Sequence, residues 1–160
     1  MDSMAEIYLE RAENEILAAD SLRKLSEEEK AKQEFELPIE TTFYSSVISH
    51  SYYAIFYSAK AILLTRGIKT SSPDIHKNTF EAFEKELVGT GVLDLKLLEI
   101  YKKMAVRADE LLEIFKEEKW KRGNFTYKTI PQANKEPAED SLKNAKVFAS
   151  NIKKIIRSQK

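Results

Sequence analysis

The chain has 160 residues, long enough to bury a real core, and 42% of them are hydrophobic, which excludes disorder as the default state. Twenty-six basic residues balance twenty-six acidic ones, so no overall positive field draws nucleic acid and only a local patch could do so. There is no cysteine and there are only two histidines, which excludes thiol catalysis, thiolate metal sites and disulfides and argues against a histidine-based metal site; no metal and no cofactor is expected.

Glycine and proline number four each, too few for a turn-rich β fold, and the abundance of Ala, Leu, Ile, Glu and Lys points to helices. The first predicted helix runs from about Ser3 to Phe35, with Leu9, Ala12, Ile16, Ala19, Leu22 and Leu25 recurring every three or four residues. Its stretch from Ser26 to Lys30 is polar all round and is expected to project or fray, and Pro38 ends the region. The second helix, from about Ile39 to Arg66, carries Phe43, Val47, Tyr52, Ile55, Phe56, Ala59, Ile62 and Leu63 on its main stripe. A second stripe holds Ser46, His50, Tyr53, Tyr57 and Lys60, so this helix is apolar on too many sides for a surface element and belongs at the centre of a bundle. Gly67 suits the residue after its end, because glycine tolerates a positive φ.

A short third helix follows. Ser72 is its expected cap, Pro73 and Asp74 suit the first turn, Phe80, Phe83 and Leu87 give it one buried face, and Gly89 and Gly91 break it. The fourth helix is predicted from about Val92 to Lys121, with Leu97, Tyr101, Met104, Ala108, Leu111 and Phe115 as its stripe. Lys103, Arg107, Glu110 and Glu113 read as its solvated face, with Arg107 and Glu110 placed for an i, i+3 pair. Gly123 to Glu136 reads as an ordered loop. Pro137 opens the fifth helix, lined by Ala138, Leu142, Ala145, Ala149, Ile152 and Ile156. Four long amphipathic helices and one short one, without a linker or an internal repeat, predict a single all-α domain over 1–160, an antiparallel up-down bundle with the short helix across one end. The N-terminus is charged and lacks an apolar signal core, and no apolar run approaches the roughly 18 residues of a membrane span, so a cytoplasmic protein with no membrane partner is expected.

The block from Ser49 to Gly91 resembles the HEPN superfamily, in particular a small stand-alone prokaryotic branch. The residues that carry the likeness are Tyr52-Tyr53-Ala54, Phe56, Ala59, Ala61, Leu63, Gly67, His76, Phe80, Phe83 and Gly89, joined by Pro137 to Ser141 with Ala145 and Phe148. The resemblance covers roughly Phe43 to Ile156 and implies a helical bundle that dimerises. It also implies one of two activities: a metal-independent endoribonuclease, often a toxin paired with a small nucleotidyltransferase-like antitoxin, or a non-catalytic RNA- or nucleotide-binding module. The family's catalytic signature is an Arg followed four to six residues later by His. Here Arg122 has the spacing, with four intervening residues, but the final position is Tyr127. Arg107 has no His downstream at all.

Cleavage of RNA through its 2′-hydroxyl needs a base for that proton and a cation for the charge on phosphorus. Arg122 could be the cation, whereas Tyr127, with an ordinary pKa near 10, is a poor base but a good stacking or hydrogen-bonding group. The bland alternative has Arg122 closing a helix against its dipole and Tyr127 packing its ring on the bundle. Lys119, Lys121 and Arg122 surround Trp120, a cation–aromatic pattern that suits single-stranded nucleic acid, and Asn124 joins them as a candidate nucleotide or RNA contact. Against it stands a solvated helix end with Trp120 half buried. His50 is a candidate proton carrier or nucleotide contact, or else a hydrogen-bonded histidine at a helix seam. His76 falls in the first turn of the short helix, where the dipole would lower its pKa and the family likeness makes it structural.

The reading that follows is a HEPN-like homodimeric module that binds RNA or nucleotide, or pairs with a nucleotidyltransferase in a toxin–antitoxin-type system. The alternative is an endoribonuclease that uses Arg122 at a dimer cleft with Tyr127 or His50. A third possibility makes Tyr127 the acceptor of a nucleotide transferred by the partner.

Overall fold

The computed structural model describes residues 2–159 apart from 121–133, and over 112–120 the helical backbone only. The described residues form six α-helices and no strand: α1 (Ser3–Glu27), α2 (Glu29–Glu34), α3 (Tyr44–Thr65), α4 (Ile75–Phe83), α5 (Leu95–Trp120) and α6 (Lys135–Ser158). A π-helical turn, Glu84–Val88, continues α4. The long helices alternate in direction. Glu6, Glu13 and Asp20 of α1 meet Arg157, Lys153 and Lys146 of α6 in reverse order, and Tyr101 and Arg107 of α5 meet Phe148 and Asp140.

Asp2 caps α1, accepting from the Met4 amide at 2.8 Å. The single first helix expected from the periodicity is two helices, parted at Glu28, whose backbone is extended (φ −97°, ψ 115°). Just before the break, Ser26 donates to the Leu22 carbonyl at 2.7 Å and accepts from the Phe43 amide at 2.7 Å. That buried hydroxyl ties the end of α1 to the start of α3. It satisfies the Phe43 amide, a donor just ahead of the helix that would otherwise be left without a partner.

The centre is α3, as its double stripe implied. Val47, Ile48, Ala54, Ile55, Ala59, Ala61 and Ile62 are fully buried on different sides of it, because α1, α6, α4 and α5 all pack against it. Its buried Ser51 and Ser58 turn their hydroxyls back onto the Val47 and Ala54 carbonyls, at 2.7 and 2.8 Å. Gly67, at φ 73°, closes the helix. Its amide bonds the Leu64 carbonyl and the Ile68 amide bonds the Leu63 carbonyl, each at 3.0 Å, the paired bonds of a Schellman end.

The short helix starts later than its cap signal suggested. Ser72 makes no cap, the Ser72–Pro73 peptide is cis, and Asp74, left-handed at φ 58°, precedes Ile75 as the first helical residue. Asn78 fastens this turn, its side-chain amide donating to the Pro73 carbonyl at 2.9 Å and its backbone amide to the Asp74 carbonyl at 2.8 Å. Across the bundle, Phe83, Tyr101 and Phe148 form one aromatic cluster, with ring centroids 5.3 to 5.8 Å apart, that joins α4, α5 and α6. Among the described residues, no helix is long and apolar enough to cross a membrane.

Candidate functional site

The elements above leave a cleft where α4 crosses α3 and α5. Its volume is about 570 Å³ on the α4 side, and a continuation of about 270 Å³ runs toward Ser49 and Leu111. Tyr52, His76 and Asp109 line both parts. Each is delivered by a different helix: Tyr52 from the middle of the buried α3, His76 from the first turn of α4, and Asp109 from one edge of the α5 stripe.

Tyr52 is core in its ring and polar at its tip. Its hydroxyl lies 2.9 Å from His76 Nδ1. Burial pushes the phenol well above its ordinary value, with the charges of Asp109 and Tyr53 adding to the effect, so the hydroxyl keeps its proton and is able to donate. His76 packs against the Phe56 ring with centroids 4.3 Å apart. That partial burial pushes the imidazole below its ordinary value; Lys60 adds to the shift and Asp109 opposes it. The contact fits either neutral tautomer: with Nδ1 accepting from Tyr52 the ring proton is on Nε2, and with Nδ1–H donating to the Tyr52 oxygen Nε2 is an acceptor. The direction expected from the helix start is present, but its causes are burial first and the charge of Lys60 after it.

Tyr101 lines the same cleft. It is fully buried, and its hydroxyl has no hydrogen-bond partner among the described residues. Burial raises its phenol far above the ordinary value, so it too is a proton donor. Asp109 is exposed and makes no hydrogen bond or ion pair among the described residues. The cleft thus holds two carboxylate acceptors, Asp74 just ahead of α4 and Asp109 where its two parts meet, facing neutral donors, between aromatic walls from Tyr53 and Phe80, with Lys77 on the rim.

The candidates named from the sequence fall elsewhere. Lys121, Arg122, Asn124 and Tyr127 lie outside the described residues, and the side chains of Lys119, Trp120 and Phe115 do as well. His50 is half-buried on the seam between α1 and α3, its Nδ1 2.5 Å from Glu15 Oε2, and it is not among the residues that line the cleft. The rest of its stripe divides. Tyr57 stacks on Tyr8 beneath Arg11, and Lys60 lies 4.9 Å from the Tyr8 ring centre, whereas Tyr53 turns toward His76.

Arg107 is not part of a solvated face. Its guanidinium is mostly enclosed and donates to the Pro137 carbonyl, Asp140 Oδ2 and Ser141 Oγ at 3.1, 3.1 and 2.8 Å, which ties α5 to the start of α6. Sequence reasoning passed over Asp109 and Tyr101 as cleft residues. Tyr101 sits on a core stripe and looks like packing. Asp109 carried one usable signal, an acid that follows the apolar position Ala108 directly and precedes Leu111 by two residues.

A family model described as HEPN domain matches residues 28–155. Three relatives are similar over most of the chain. One, from Methanocaldococcus jannaschii and named "Putative toxin MJ0142", is 31% identical over 86% of this chain and 83% of its own length. A second protein of the same organism, "Putative toxin MJ0605", is 30% identical over 74% of this chain and 75% of its own. A UPF0332 protein of Thermotoga maritima is 29% identical over 72% and 74%.

Proposed function

The chain belongs to the HEPN domain family, and from that premise we propose that it is a toxin-type helical module that binds RNA or nucleotide, acting as a homodimer beside a small nucleotidyltransferase partner. The observation that carries the reading is the cleft at Tyr52, His76 and Asp109. It has the volume of a small-ligand site, aromatic walls that suit a base, and a few convergent polar groups that suit its edge. The names of the two archaeal relatives support a toxin-type context. Lys119, Trp120, Lys121, Arg122, Asn124 and Tyr127 are the proposed contacts to phosphate and to further bases, since α5, which carries Asp109, leads directly into that run.

The test is filter binding of the full chain to labelled single-stranded RNA and to mononucleotides, in EDTA. Saturable binding that Tyr53→Ala weakens about tenfold or more is expected, given roughly 1–3 kcal/mol per stacked base. A folded protein that retains neither ligand overturns the reading. RNA shortened in the same tubes, with the shortening abolished by Arg122→Ala, would make the protein an endoribonuclease instead.

A further inference from the structure

We propose that the cleft selects guanine among the nucleobases, with Asp109 reading the base edge and Tyr101 and His76 supplying the donors opposite; this rests on the nucleotide-binding reading above. The argument begins with what the cleft offers. An ionised carboxylate accepts hydrogen bonds and donates none. Asp109 is exposed, with no hydrogen bond or ion pair among the described residues, and is therefore available to an incoming ligand. Guanine presents two adjacent donors, N1–H and the N2 amino group, which match the two oxygens of one carboxylate. Adenine and cytosine each place a ring-nitrogen acceptor beside their amino donor, and uracil has one N–H between two carbonyls. Each of those bases would set a lone pair against Asp109.

The second observation is independent of Asp109. Tyr101 is fully buried, lines the same cleft and has an unpartnered hydroxyl among the described residues. A buried hydroxyl left unpaired is unfavourable, and an acceptor atom brought into the cleft relieves it. Guanine carries such an atom, O6, directly beside N1. In the tautomer whose Nδ1 accepts from Tyr52, the His76 Nε2–H is a second donor in the same wall. Asp109 and the two donors thus meet a base edge that reads donor, donor, acceptor, while Asp74, the other carboxylate of the cleft, lies just ahead of α4. Tyr53 gives that base a face to stack on, and Lys77 stands at the rim for a phosphate.

The experiment is calorimetric titration of the full chain with GMP, AMP, CMP and UMP, for wild type, Asp109→Asn and Tyr101→Phe, with far-UV circular dichroism to verify that each is folded. Wild type is expected to bind GMP ten- to a hundredfold tighter than AMP, the range of one bidentate base contact. Asp109→Asn replaces acceptor–acceptor by acceptor–donor, so the GMP preference should vanish and AMP should gain. Tyr101→Phe keeps the ring in the aromatic cluster and should weaken GMP several-fold. Equal affinity for the four nucleotides, or a preference for GMP unchanged in Asp109→Asn, overturns the guanine inference while nucleotide binding stands. Folded wild type that binds none of them removes the nucleotide reading and the inference with it.

Discussion

Arg107 illustrates how a single side chain can be misjudged from its neighbours. In the sequence it sits among Lys103, Glu110 and Glu113 at helical spacing, the pattern of a wet helix face. Its partners Pro137, Asp140 and Ser141 lie some thirty residues away, and no local pattern announces them. The charge of Asp140 depends on the contact. Burial alone would raise its carboxyl, but hydrogen bonds and charge from Lys103 and Arg107 outweigh that and hold it below the ordinary carboxylate range. A carboxyl whose pKa is lower in the folded than in the unfolded chain adds stability above its unfolded value, near pH 4, and loses it as the pH falls through the folded value. Urea unfolding of Arg107→Ala at pH 7 should therefore show a loss of about 1.5–3 kcal/mol, the range for hydrogen bonds to a charged group. Between about pH 4 and pH 2 the variant should lose less further stability than wild type does. An equal acid response in both would mean that Arg107 does not set the Asp140 charge.

The elements were legible where periodicity governs and less so where tertiary contacts decide their ends. The stripes of α3, α5 and α6 and the Gly67 end follow from apolar spacing and backbone freedom. The break at Glu28 does not, since Ser26 to Lys30 could continue a solvated helix; a hydroxyl shared with Phe43 ties down the chain just before it. The π turn after α4 was equally hidden. There the Gly89 amide reaches the Glu84 carbonyl at 2.7 Å, which brings the helix backbone close under Gly89. A Cβ added at Gly89 would lie 2.9 Å from the Lys85 carbonyl oxygen and 3.2 Å from that of Glu84, both backbone atoms with little room to yield. Gly89→Ala should destabilise the protein by about 1–3 kcal/mol, read from the urea midpoint at unchanged slope. A neutral result would show that the turn relaxes to an ordinary α-helical end. The same uncertainty at element ends kept the cleft out of view, because it is assembled from the first turn of α4, the middle of α3 and one edge of α5.

For the whole molecule, periodicity and loop lengths implied an up-down bundle, and the helices alternate as that requires. What spacing alone did not supply is which residues meet. Phe83, Tyr101 and Phe148 come from three separate helices and form the joint that keeps α5 and α6 against the α4 crossing. Phe148 is fully buried, so Phe148→Ala should cost about 3–5 kcal/mol, a large share of the roughly 5–15 kcal/mol that holds a domain together. Thermal melting should drop steeply, and amide exchange should quicken in α4, α5 and α6 together. Exchange that quickened in α6 alone would show that the cluster is not a shared joint.

The ion-pair ladder between α1 and α6 bears on the charge of the chain. Residues 1–27 hold seven acidic and three basic residues, so residues 28–160 carry 23 basic against 19 acidic, a net of +4. The neutral total is the sum of an anionic strap and a cationic body. Glu6, Glu13 and Asp20 of the strap already face Arg157, Lys153 and Lys146, and much of its negative charge is neutralised locally there. The zero that opened the case against nucleic acid therefore describes the whole polymer: apart from Lys121, Arg122, Lys128 and Lys160, residues 28–160 hold nineteen basic and nineteen acidic residues, so the excess belongs to the run that follows α5 and to the last residue.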